Sequence, residues 1–465
     1  MQEIRDKKEK NKKSKKVKKT KQEKIEIKEA KRQLAEAERI KRIQAQNIRE
    51  NWLKLDNAAM IYPAIGSSQW NSVFRLSVIL KDKVDKEKLQ QALDDSLVRY
   101  PFFNVSLRNG LFWHYFQILD HKPVIEEEKD YPCRPFEFEK REQIFRILYM
   151  ENKISFESFH SLTDGGGALQ FFNTLIVRYF ELCGVSYKDL YKYNLNVKDL
   201  PDEEEREDAF RRFANKEKSR SRKEKVAYAV KGNLEPIQVL KVVTGLVDLG
   251  QLKEISKAHN ATINEFLTAV YFVALCSEKA RQHSQNNKPI KISIPVSMRR
   301  FYGSKTMRNF SQFVNMELPL DKEKAEFCDI LNIVKEESKL INKDYLQGSI
   351  NANVKSEKNF FVRIMPLGIK NFVLKLVYSK VGEKLFTSTL TNVGLIKLPE
   401  ELNEKIEHYF VVLGATKLNR INLTANSFGN ECAITFSSRL KENRIIKNYF
   451  KFLSEFGLNI KIFSN

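Results

Sequence analysis

The chain has 465 residues, 42% of them hydrophobic, with 32 Phe and 16 Tyr against only 17 Gly and 12 Pro. This composition excludes a fibrous or wholly disordered polymer, and the length favours two domains over one. The formal net charge is +22, but residues 1–50 alone carry 19 Lys and Arg against 9 Asp and Glu, so the globular remainder is only moderately basic.

The lysine-rich run over residues 1–24 cannot bury enough apolar surface to fold alone and is expected to be disordered. From Ile25 to about Asn51, Ile27, Ala30, Leu34, Ala37, Ile40 and Ile43 recur at three- and four-residue spacing among charges, which predicts an amphipathic helix. Three uses stay open for this basic extension: packing on its own domain, peripheral contact with an anionic membrane through residues 1–50, or a nucleic acid or acidic protein partner. Nucleic acid is the least favoured, because no aromatic platform, zinc finger or RNA-binding signature accompanies the lysines.

Val73–Lys81 alternates as a strand. Asp85–Tyr100 is periodic as a helix, with Asp85 as N-cap and Pro101 ending it. Phe102–Leu107 and Leu111–Leu119 bracket Arg108-Asn109-Gly110 as a hairpin. Lys153–Phe159 reads as a strand and Ala168–Tyr179 as a helix, with His160 and Gly165-Gly166-Gly167 between them. Pro201–Lys225 is almost entirely charged and marks a boundary.

Beyond it, Val239–Val247 is a strand and Asp248–His259 a helix, and Thr262-Ile263-Asn264-Glu265 is a capping box before the helix Phe266–Lys279. Lys291–Val296, Asn309–Leu318, Phe386–Thr391, Tyr409–Gly414, Arg420–Asn426 and Glu431–Ser438 read as strands, and a last helix runs from about Glu442 to Phe456. The organisation expected is a basic extension (1–50), a first lobe (51–200), a charged linker (201–235) and a second lobe (236–465).

The five cysteines are scattered with no CxxC pair, so neither a disulfide framework nor a structural metal site is expected. No apolar run approaches the ~20 residues that span a bilayer. The odd cysteine count without a secretory apolar region fits a cytoplasmic protein, with the basic extension as its route to peripheral membrane contact.

His160 is one of only six histidines and can exchange a proton near neutral pH. It sits at a strand end, followed by glycines that permit positive φ and close backbone approach, where catalytic groups are often found. A histidine on a strand is also commonly a packing residue and Asp-Gly a simple turn, so the residues alone leave both readings open.

His160-Ser161-Leu162-Thr163-Asp164-Gly165 matches the HxxxDG motif of the chloramphenicol acetyltransferase-like superfamily, which includes alcohol acetyltransferases, plant BAHD acyltransferases and nonribosomal peptide condensation domains. The context resembles the same superfamily. Leu97-Val98-Arg99-Tyr100-Pro101 is similar to its RxP segment, Pro295–Arg300 followed by Arg308-Asn309-Phe310 to its second-half arginine segment, and Thr391-Asn392-Val393-Gly394 to its SN(L/I/V)G segment. The resemblance spans about residues 52–465 and is nearest to the alcohol acetyltransferase-like bacterial branch. The plant DFGWG motif is missing, and Phe159 stands where condensation domains commonly have a first histidine.

The resemblance implies a mixed-sheet α/β fold of two lobes forming a pseudo-dimer with a central tunnel. It implies an O-acyltransferase that holds no permanent cofactor and uses acyl-coenzyme A as cosubstrate, with an acyl carrier protein as the alternative donor. The acceptor would be a hydroxyl-bearing small or lipid-like molecule, less often an amine. His160 would be the general base, and Asp164 would support the site by pairing with Arg299 or Arg300, with Gly165 in the loop. Backbone amides near Gly166, or Thr391 and Asn392, would stabilise the oxyanion, and Lys305 and Arg308 would line a basic mouth for coenzyme A. A silent binding module of the same fold is the competing reading.

Overall fold

The computed structural model describes residues 51–66, 72–217, 219, 224–282, 287–416 and 418–465. The disorder expected for residues 1–24 lies outside the described residues, as does the helix expected from Ile25 as far as residue 50.

The first part of the chain forms β1 (Trp52–Lys54), α1 (Ile61–Ile65), β2 (Val73–Leu80), α2 (Lys86–Arg99), β3 (Val105–Asn109), β4 (His114–Ile118), β5 (Glu126–Glu127), β6 (Phe145–Met150), β7 (Lys153–Phe159), α3 (Gly165–Leu182) and α4 (Ala209–Phe213). The second part continues with β8 (Lys241–Asp248), α5 (Leu249–Ala258), α6 (Ile263–Arg281), β9 (Ile290–Ser297), α7 (Arg299–Tyr302), β10 (Ser311–Leu318), α8 (Phe327–Lys339), α9 (Lys343–Lys358), α10 (Phe360–Ile364) and α11 (Leu367–Val381). It ends with β11 (Ser388–Leu395), β12 (Ile406–Leu413), β13 (Ile421–Phe428), β14 (Glu431–Ser438), α12 (Arg444–Glu455) and β15 (Lys461–Ser464).

Local chemistry sets the helix starts. The Asp85 carboxylate accepts the Lys88 amide at 3.1 Å, relieving one orphan donor of the first turn of α2. At α6 the capping box closes both ways, with the Glu265 amide donating to Thr262 Oγ1 at 3.2 Å and the Thr262 amide to Glu265 Oε2 at 2.8 Å. Leu89, Ala92, Leu93, Ser96 and Leu97 form the buried stripe of α2, which packs on α3.

Three sheets result, ordered β1-β4-β3, β12-β2-β7-β6-β5 and β10-β9-β11-β13-β14-β8-β15. Parallel and antiparallel pairs coexist, as in β11 against β13 and β13 against β14, so the fold is mixed α/β. The strand Tyr409–Gly414, read as part of the second lobe, belongs to β12 and pairs antiparallel with β2 in the five-stranded sheet. The first lobe is therefore not one continuous stretch of chain, and Trp52–Asn465 form a single unit.

The polar positions of β7 are buried as deeply as the apolar ones: Ser155 and Glu157 lie inside the fold along with Ile154 and Phe156. Their groups are satisfied internally. Glu157 accepts from Arg75 and Arg146, each at 2.7 Å, and although burial pushes its carboxyl up, the two guanidiniums hold it low.

Two expectations change. The β3–β4 turn falls at residues 110–113 rather than 108–110, because Asn109 pairs with His114 and the Gly110 amide donates to the Trp113 carbonyl at 2.9 Å. Within the charged tract expected as a linker, the described part after Pro201 packs on the fold: Glu205, Ala209 and Phe210 are buried, and Arg99 grips Glu205 through two bonds of 2.6 Å. A buried bidentate pair fixes such a segment as firmly as apolar packing does. Among the described residues, no helix is long and apolar enough to cross a membrane.

Candidate active site

His160 directly follows β7, and its amide donates to the Ser72 carbonyl at 2.8 Å. Its ring is half-buried, stacked on Tyr62 from α1 with centroids 4.6 Å apart and met edge-on by Phe74 at 5.2 Å. Nδ1 lies 3.0 Å from Asn309 Oδ1. The amide group of Asn309 is oriented by its own partners, since Nδ2 donates to Asp56 Oδ2 at 3.2 Å and to the Ser161 carbonyl at 3.3 Å. Its oxygen therefore faces the imidazole, so Nδ1 carries the proton and Nε2 presents a lone pair. Burial lowers the imidazole pKa below its ordinary value, against the opposing pull of Asp164, so the ring is neutral at pH 7.

Asp56 anchors this chain from beneath. It is fully buried and accepts the Ala59 amide at 2.7 Å, and Arg308 Nε lies 3.6 Å from Oδ2. Burial pushes its carboxyl up to about 6, with Arg308 pulling the other way.

Asp164 is the N-cap of α3, accepting the amides of Gly166 and Gly167 at 3.1 and 3.2 Å. The same carboxylate binds Arg299 through both oxygens, at 2.8 and 3.0 Å, and accepts the Phe310 amide and the Ser311 hydroxyl at 2.8 Å each. Burial alone would raise its pKa, but Arg299 and these donors hold it below the ordinary carboxylate range. Arg299 also donates to the carbonyls of Thr306 and Arg308, both at 2.7 Å. One ion pair thus ties the start of α3 to the segment between β9 and β10. Asp164 braces the loop, and the imidazole Nδ1 is met by Asn309 instead.

Two of the three glycines, Gly166 and Gly167, serve close packing. All three form the first turn of α3, none has positive φ, and the helix starts three residues before Ala168. A Cβ on Gly167 would collide with the Met307 carbonyl oxygen and Thr163 Oγ1, and one on Gly166 would lie 2.8 Å from Arg299 Nη1. Gly165 is exposed with open space around its Cβ position.

The other expected residues divide. Arg299 meets Asp164, whereas Arg300 is exposed with its guanidinium 4.7 Å from the Phe301 ring, because the α7 turn sends neighbouring side chains in different directions. The Gly166 amide is engaged by Asp164 and is no oxyanion donor. Thr391 and Asn392 lie on β11 without a hydrogen bond to His160, and Asn392 Oδ1 accepts the Gly394 amide at 2.9 Å across a β-bulge. Lys305 is a surface residue paired with Asp202 at 3.3 Å. Arg308 is turned inward to Asp56 and donates to the Lys54 carbonyl at 2.6 Å, so it does not line an open mouth.

Asn309, Asp56 and Tyr62 escaped the sequence reading as site residues. Asn309 stood inside a segment singled out beside Phe310, and only its contact across 149 positions reveals its role.

No family model and no curated protein matches the sequence. Solved structures do. The F. graminearum TRI101 protein, crystallised with coenzyme A and deoxynivalenol, aligns at TM-score 0.59 and 10% identity over 88% of this chain and 99% of that one. Polyketide synthase associated protein 5 from Mycobacterium tuberculosis aligns at TM-score 0.57 and 12% identity over 86% and 96%. A wax ester synthase/diacylglycerol acyltransferase from Marinobacter aquaeolei VT8 aligns at 0.52 and 14% over 87% and 98%. At these identities the likeness establishes the fold alone: the chain shares the two-lobed mixed α/β architecture of these structures.

Proposed function

We propose that the protein is an O-acyltransferase, of alcohol acetyltransferase-like type, that moves an acyl group from acyl-coenzyme A to a hydroxyl acceptor with His160 as general base. The observation that carries this reading is the 3.0 Å contact of the imidazole Nδ1 with Asn309 Oδ1, which leaves Nε2 as the ring's basic nitrogen. Asp164 and Arg299 support the reading by locking the loop on which the base stands.

The acceptor hydroxyl gives its proton to Nε2 as its oxygen attacks the thioester carbonyl. A C–O bond forms and the carbonyl electron pair moves to oxygen. When the tetrahedral intermediate collapses, the C–S bond breaks and Nε2–H protonates the departing thiolate. The products are an ester and a free thiol, and the histidine ends as it began. With the Gly166 and Gly167 amides engaged, Thr391 and Asn392 are the remaining candidates for oxyanion stabilisation. The net positive charge of the chain favours approach of the coenzyme A phosphates.

The test is release of free thiol from a panel of acyl-coenzyme A donors with pooled alcohols. The reading requires alcohol-dependent thiol release and an ester product by mass spectrometry. Ligand-induced thermal stabilisation without turnover would instead identify a binding module.

A further inference from the structure

Helix α11 is amphipathic in the reverse of the usual sense. Its inner face carries polar groups: Lys370 is 2% exposed, donates to the Phe112 carbonyl at 2.7 Å and lies 3.2 Å from the centroid of the Trp113 ring. Asn371 Oδ1 meets His114 Nε2 at 3.2 Å beside it. Its outer face carries Ile369, Phe372, Val373 and Val377, all exposed and spaced at three and four residues to form one stripe. The neighbouring α10 adds Phe360, Phe361 and Ile364, each at least half exposed. The β3–β4 turn adds exposed Leu111, whose carbonyl accepts the Leu367 amide at 2.9 Å. An apolar surface of this extent marks an interaction site.

Charge selects the occupant. From Asn359 to Gly382 there is no Asp or Glu, and the exposed Arg363 and Lys375 are basic, while Lys370 is spent on the inner face. The amphipathic stretch of residues 25–50 also carries more Lys and Arg than Asp and Glu, and a second copy of this surface would be equally basic. Like charge disfavours both. An apolar stripe flanked by exposed basic side chains suits the interface of an anionic bilayer, where the stripe enters the acyl boundary and Arg363 and Lys375 meet the headgroups.

We propose that the α10–α11 surface docks the protein on anionic lipid membranes. The location gives docking a use, since α11 packs on α1, the helix whose Tyr62 stacks on His160. A hydroxyl acceptor dissolved in the membrane would then reach the site from the bilayer side. That delivery step rests on the acyltransferase reading, whereas docking itself does not.

The experiment is flotation of the full chain with vesicles of phosphatidylcholine containing 30% phosphatidylglycerol, beside pure phosphatidylcholine. It compares the natural sequence, Ile369→Ser/Phe372→Ser, and a chain lacking residues 1–50. Size-exclusion chromatography accompanies each protein, as does thiol release with a water-soluble alcohol. The expected result is binding to anionic vesicles only, at least tenfold weaker in the double variant, with its folding and soluble turnover unchanged. Equal binding by the double variant, binding lost only on removing residues 1–50, or a dimer that the double variant turns into a monomer would overturn the proposal. Absence of thiol release with docking intact would count against the acyltransferase reading alone.

Discussion

At His160, two neighbours act in different ways on one imidazole. Asn309 selects the tautomer by geometry, because its Nδ2 is committed to Asp56 and Ser161 and only its oxygen can face Nδ1. Burial selects the protonation state by disfavouring the imidazolium. Because the pKa is lowered, the base form persists below pH 6.5 and is lost only as pH falls through the depressed value. The acid limb of kcat/KM, measured with a water-soluble acceptor, is therefore expected to have its midpoint below 6.5, and a midpoint above 6.5 would contradict this. The Asp164 carboxylate has the corresponding sign for stability. Its folded pKa lies below 3.8, so its contribution is fully present above that value and is lost as pH falls through the folded pKa.

The position of His160 at a strand end was legible in the sequence, whereas its contact with Asn309 was not. Its partner is 149 residues away, and nothing local distinguishes a buried asparagine at a strand start from a surface one.

At the scale of elements, the junction between β7 and α3 depends on what its glycines leave room for. Local signals gave the strand, the Asp85 cap and the Thr262 capping box correctly, since each is fixed within four residues. The same local logic allowed the three glycines positive φ and close backbone approach; none has positive φ, and Gly166 and Gly167 make the close approach. Gly167→Ala should destabilise by roughly 1–3 kcal/mol, because the colliding Met307 oxygen belongs to the backbone and cannot swing aside. Gly165→Ala, in the first helical turn with open space, should be neutral or stabilising by up to about 1 kcal/mol. Urea unfolding of both variants checks the pair, and equal effects would remove the packing argument.

For the whole molecule, two crossings of the chain make the site. Strand β12 leaves the second half to complete the sheet that ends at His160, and the segment from Arg299 to Ser311 reaches back to clasp Asp164 and Asn309's imidazole partner. Two lobes were readable from the repeated αβ pattern. The crossing of β12 was not, because a strand's sequence does not say which sheet receives it. The charged tract misled for a related reason: Glu205 is distinguishable from a solvated glutamate only once Arg99 is beside it. The central claim is that this interlobe histidine is the base. Its most direct test is thiol release by His160→Ala at pH 7, with circular dichroism showing the variant folded. A fall of about 10²–10⁴-fold is expected for loss of a general base, and turnover within a few-fold of the natural protein would contradict the account.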